Sequence, residues 1–240
     1  MDAARKTGTT STQLLVVLSL SVAAFAAAAT LHAANPFLFK RFTGGVHPLV
    51  AFALAGVLAL ACFRWLLAGG ELVVYGRSTI AELSRYAAIV AFMVSITILV
   101  DVTMPFAANI NVLAPESLLF YPAMAFLVEI IFHVLPLTVL LMILKASLSG
   151  TSRQSQVWIA IVIVSLLEPV YQGLYMSGSG RFPLWAVAVI AANLTAFNLL
   201  QLYVFNRYDF ISMYAMRLVY YALWHVAWGS IRVPLLFGTK

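Results

Sequence analysis

The chain predicts an all-α, polytopic membrane helix bundle of about seven transmembrane helices. Two observations carry that prediction. Hydrophobic residues fill 63% of the 240 positions and charged residues only 9%, with a mean hydropathy of +1.00, whereas a soluble domain carries about 25% charged residues. The apolar residues also gather into runs near the ~20 residues that a spanning helix needs. The runs are too long and too uniformly apolar for alternating barrel strands. Helices are therefore expected, because backbone groups in lipid must bond within their own segment.

The spans, in order, are read at 13–34, 47–68, 86–106, 118–144, 156–176, 183–205 and 210–231. The first follows Arg5 and Lys6 and ends near Leu31-His-Ala-Ala-Asn35, a pattern similar to a cleavable signal peptide. Its apolar part exceeds the usual h-region, so a retained helix is expected. The second holds the single cysteine, Cys62, which reads as a small buried hydrophobe. One cysteine permits no disulfide within the chain and no cysteine-based metal site. The turn Asn206-Arg-Tyr-Asp209 is short enough to make the last two spans an antiparallel hairpin. The longest polar connection, 69–85, carries Glu71, Arg77, Glu82 and Arg85 and suggests a short, solvated surface helix. With no repeat and no low-complexity linker, residues 1–240 read as a single membrane-embedded domain.

The formal net charge is +6. Its basic residues are scattered singly between spans. That pattern fits flanks meeting a lipid bilayer and argues against nucleic acid as a partner. With seven spans, Arg5, Lys6, Arg64, Arg77, Arg85, Lys145, Arg153 and Arg207 fall on one side. Lys40, Arg41, Arg181, Arg232 and Lys240 fall on the other. The excess places the N-terminus in the cytoplasm and the C-terminus outside. The expected location is a bacterial-type inner or plasma membrane, crossed several times.

Few ionisable residues lie inside the runs: Asp101, Glu129, His133, Glu168, Arg217 and His225. A charged group in hydrocarbon costs at least ~2.5–3.5 kcal/mol and is a functional-site hypothesis by default. Glu129 and His133, four residues apart in Ala125-Phe-Leu-Val-Glu-Ile-Ile-Phe-His133, share one helix face. Asp101 lies close to a span end, where an interfacial place is expected. His225, between Trp224 and Trp228, suits either an aromatic belt or a polar core with Glu129, His133, Glu168 and Arg217. A long arginine such as Arg217 can also snorkel. Glu129, His133, Glu168 and His225 suit zinc or iron by type. However, neither HExxH nor a repeated Glu-x-x-His motif occurs. No metal and no cofactor is expected. P-loop, GxSxG, GxGxxG and haem motifs do not occur either, so nucleotide and serine-hydrolase readings have no support.

Pro115-Glu116 followed by Leu127-Val-Glu-Ile-Ile-Phe-His133 resembles the first motif of the CPBP family, the CAAX-protease and bacteriocin-processing intramembrane endopeptidases. That motif reads Glu-Glu-x-x-x-Arg. Val128 falls on its first glutamate, Glu129 on the second and His133 on the arginine. Ser165-Leu-Leu-Glu-Pro169 looks like the second motif, with Glu168 on the histidine that ends a Phe-x-x-x-His run. The segment from Asn206 to Tyr221 is similar to the closing segment, with Arg217 on the histidine and Tyr221 on the Asn/Asp of His-x-x-x-Asn/Asp. The resemblance spans residues 113–228 and implies a shared membrane core there.

In that family the first glutamate and the second-motif histidine are taken to activate water, and the last histidine with the Asn/Asp to stabilise the oxyanion. Of the aligned groups only Glu129 is kept in kind, and Val128 cannot act as a base. Two readings follow. In the first, the fold is kept without catalysis, as a pseudoprotease. Glu168 and Arg217 then form a buried ion pair completed by Glu129, His133 and Tyr221. The protein serves as a scaffold or subunit for a membrane-protein partner. In the second, the site is a reworked peptidase: Glu168 is the base and Arg217 with Tyr221 stabilise an oxyanion. An arginine beside a carboxylate weakens it as a base, which favours the first reading. Water-filled space between Glu168 and Arg217 separates the two, since hydrolysis needs it and a scaffold does not.

Overall fold

A computed structural model describes residues 8–39, 42–70, 72–76, 78–148 and 150–238. Among them the chain forms seven helices and no strands, a helical membrane bundle. The helices are α1 (Thr10–Ala34), α2 (Pro48–Ala68), α3 (Ile80–Thr103), α4 (Ser117–Ser147), α5 (Arg153–Gly178), α6 (Leu184–Arg207) and α7, residues 210–237. The first six are long and apolar enough to cross a membrane. The seventh forms as a helix but is not among those six. Arg217, Arg232 and a run of tyrosines and tryptophans lower its apolar content.

The helices run up and down. One end of the bundle, here the near end, gathers the start of α1, the 69–79 connection and the α6–α7 turn. The far end gathers the 35–47, 104–116 and 179–183 connections. Small residues let α1 and α2 approach: a Cβ built on Gly56 would lie 3.2 Å from Cβ of Ser21. α7 packs against α3, α4 and α6. Apolar packing forms two groups. One involves α1, α2, α4, the near half of α5 and the near ends of α6 and α7; the other involves α3, the rest of α6 and α7, and the far half of α5.

Of the 69–85 connection, residues 80–85 form the first, partly exposed turns of α3, while the described residues ahead of Ile80 do not join the expected surface helix. Leu72 and Val74 are buried, and residues 72–76 run as an irregular, bent strap. Phe210 and Ile211 donate their backbone N–H groups to the carbonyls of Val73 and Val74, at 3.1 and 3.0 Å. Gln13 of α1 accepts from the backbone of Val74 and Tyr75 and donates to the Tyr75 carbonyl. The strap thus replaces solvent with main-chain partners, which a surface helix would forgo. Glu82 is not simply solvated: its carboxylate accepts from the Thr79 N–H and hydroxyl, and Thr79 accepts from the Glu82 N–H. Together they cap α3. Glu71 and Arg77 lie outside the described residues.

Two helices carry a π-helical turn, Glu129–Val134 inside α4 and Ala222–Trp228 inside α7. α5 has its break at Ser165 and Leu166, just before Pro169. These irregular stretches hold or adjoin the ionisable residues described next.

Candidate functional site: a charged cluster in the bundle interior

Arg217 projects from α7 into the space between α4, α5 and α6. Its Nε donates to Glu129 Oε1 at 2.6 Å. Nη1 and Nη2 grip the two oxygens of Glu168 at 3.1 and 3.0 Å, a two-pronged contact. Nη2 also donates to Gln201 Oε1 at 2.8 Å and to Asn198 Oδ1 at 3.4 Å. All three charged groups are buried, with residue exposures of 1% for Arg217, 0% for Glu129 and 4% for Glu168. Taking such charges from water is costly unless each is paired and its remaining hydrogen-bonding capacity is met.

That capacity is largely met by amides and an imidazole. Gln201 Nε2 donates to Glu129 Oε1 at 2.6 Å and to the Met213 carbonyl at 3.2 Å. His133 Nδ1 lies 2.7 Å from Glu129 Oε2, one turn along α4. Gln172 Nε2 donates to Glu168 Oε1 at 3.2 Å, and Asn198 Nδ2 to the Ser165 carbonyl at the break in α5. The rings of Phe197 and Tyr221 flank the guanidinium, their centroids 5.3 and 5.9 Å from it. His133 Nε2 is buried and has no partner.

Glu129, His133, Glu168 and Arg217 therefore meet, with the Tyr221 ring beside them. His225 stands apart from them. It stacks on Tyr121 at 4.6 Å and lies edge-on to Tyr221 at 5.0 Å. Its Nδ1 is buried without a partner. Val128, aligned with the missing glutamate, packs against the apolar core. Among the described residues, no group of three or more His, Cys, Asp or Glu side chains is arranged to hold a metal ion.

Asp101 lies near the end of α3, as the sequence suggests. It is fully buried, as is Arg232. Arg232 Nε and Nη2 bind the two Asp101 oxygens at 2.6 and 2.7 Å. Trp228 Nε1 and the Phe106 N–H also donate to Asp101. Arg232 further donates to the carbonyls of Phe106 and Ala107. The 104–116 connection folds inward over the end of the bundle, with Asn111 and Val112 buried. A span-end aspartate thereby gains an arginine that the sequence suggests is a flank. Asn111, in that connection, donates its amide to the carbonyls of Trp224 and His225 within the π-helical turn of α7.

The sequence reading passed over Asn198, Gln201 and Gln172. Their signal was present: Asn193, Asn198 and Gln201 interrupt the apolar run of α6, and uncharged polar residues in such runs bond across helices. Asn193 does so too, donating to Thr97 Oγ1 and the Met93 carbonyl of α3.

Fold and site define a multi-pass helical membrane protein with a paired charge cluster in its interior. Comparison of the chain with family models, curated proteins and solved structures found no match.

Proposed function

We propose that this chain is a non-catalytic, CPBP-like membrane protein that acts as a subunit or scaffold for a membrane-protein partner. Its N-terminus lies in the cytoplasm. The residues aligned with the three motifs, Glu129, Glu168 and Arg217, come from three helices, and both carboxylates lie within hydrogen-bond distance of the Arg217 guanidinium. Such convergence is what a shared core implies.

The observation that carries the non-catalytic reading is the direct contact between Glu168 and Arg217. Peptide hydrolysis needs a base in reach of a water and donors aimed at a developing oxyanion. Here the would-be base and the would-be donor bind each other at 3.0 and 3.1 Å, leaving no room between them for a water or a substrate carbonyl. The other donors of Arg217 are engaged by Glu129, Gln201 and Asn198. The cluster ties α4, α5, α6 and α7 into one unit, a property suited to a binding scaffold.

The test offers CAAX-type and leader-type peptides to the purified wild type, Glu168→Gln and Arg217→Ala. No cleavage by any of the three is expected. Robust turnover by the wild type that both substitutions abolish would establish a reworked peptidase instead. The partner role is tested by extraction in mild detergent and native mass spectrometry. A second membrane protein in fixed stoichiometry is expected, and a lone monomer would refute that role.

A further inference from the structure

His32 and His47 meet at the far end of the bundle, separate from the charged cluster. His32 lies in the last turn of α1 and His47 immediately precedes α2. Their rings are 4.7 Å apart, centroid to centroid, at 70°. Nδ1 of His32 is buried and has no hydrogen-bond partner. His47 is exposed.

We propose that these two imidazoles form an open site for a late first-row divalent metal, Cu²⁺ or Zn²⁺, with water completing the coordination shell. Several observations converge on it. A buried imidazole nitrogen without a partner keeps an unmet demand for one, and a metal ion satisfies it as well as a donor would. Imidazole is the ligand these metals favour, with Cu²⁺ bound more tightly than Zn²⁺. Hard cations such as Ca²⁺ and Mg²⁺ seek oxygen ligands and are disfavoured by this pair.

The spacing also fits. A metal about 2.0–2.1 Å from each coordinating nitrogen sits roughly 3 Å from each ring centre. Two rings sharing it at an angle between a right angle and tetrahedral then have centres about 4.5–5 Å apart. The exposed His47 side chain gives the ion an entry path. Bound there, the metal would clip the end of α1 to the start of α2. It would close a connection whose Gly44 and Gly45 adopt positive φ angles of 60° and 86°.

The test titrates Cu²⁺ or Zn²⁺ alone into the untagged full chain in detergent micelles, by calorimetry, with electron paramagnetic resonance of the copper form. One equivalent per chain is expected, Cu²⁺ binding tighter than Zn²⁺, with coupling to two nitrogens. His47→Ala changes an exposed side chain and leaves the fold intact. It should weaken binding by more than the roughly 10–100-fold that loss of a mere supporting group costs. His32→Ala should do the same, and His225→Ala should leave the affinity unchanged. Unchanged affinity in His47→Ala, coupling to a single nitrogen, or no saturable binding would overturn the proposal.

Discussion

Arg217 serves two carboxylates on different helices, so the members of the cluster are not equivalent. Removing Arg217 strips both Glu129 and Glu168 of their countercharge. Removing Glu168 leaves Arg217 still bound to Glu129. Breaking a buried pair costs about 3–5 kcal/mol. Arg217→Met is therefore expected to destabilise by at least that much, and Glu168→Leu by less. Reversible unfolding in mixed micelles would measure both, and an equal or reversed order would show that the charges do not act this way. A second residue-scale test concerns Gly229, where an added Cβ would lie 2.4 Å from Asn111 Nδ2. Gly229→Ala should cost about 1–3 kcal/mol through overpacking. Much of that loss should vanish in an Asn111→Ala background, and full additivity of the two changes would argue against the clash. At this scale the sequence was partly legible. Glu129, Glu168 and Arg217 stood out because charge inside an apolar run is costly. Arg232 did not, because an arginine at a span end has an ordinary explanation in the headgroup region. Its pairing with Asp101 depends on how a connection folds, which local composition does not encode.

At the scale of elements, α1 to α6 were legible from apolar length, and the α6–α7 hairpin from its short turn. The π-helical turns were not, since one extra residue in a turn leaves the hydrophobic pattern almost unchanged. Their placement matters because Glu129 and His133 both lie within the first. A widened turn there sets how the two side chains leave α4, and such turns recur at functional sites. The strap at 72–76 was misread because its neighbours are charged, although Leu72 and Val74 are themselves apolar and buried. Asp209 joins these parts. It accepts from the Ser212 N–H and hydroxyl at the start of α7, and from the Gly76 N–H of the strap. Asp209→Ala should cost about 1–2 kcal/mol, the worth of a strong helix cap. It should also speed hydrogen exchange at Gly76 and Ser212 together. Faster exchange at Ser212 alone would mean that the strap is held by its backbone contacts with Phe210 and Ile211.

For the whole molecule, six of the seven alternating helices are long and apolar enough to cross a membrane, and the seven crossings expected from the sequence would put the residues ahead of α1 and those after α7 on opposite sides of the bilayer. Reporters fused after Lys240 should be active only outside the cytoplasm, and reporters ahead of Thr10 only within it. A cytoplasmic signal from the C-terminal fusion would remove one crossing and overturn the orientation drawn from the basic flanks. The lower apolar content of α7 has a further consequence, for biogenesis. A helix carrying Arg217 well inside it and Arg232 towards its end gains less by partitioning into lipid alone, since an arginine near the bilayer centre adds about 2.5–3.5 kcal/mol to the insertion cost and one near the end adds less. Its acidic partners Asp101, Glu129 and Glu168 all precede it in the chain. A nascent protein would hold those carboxylates without their arginine partners until α7 leaves the ribosome. Insertion of α7 then becomes the step that completes charge balance. Nascent chains stalled after α6 should still crosslink to the insertion machinery, and chains extended through α7 should not; equal crosslinking of the two would argue against this order.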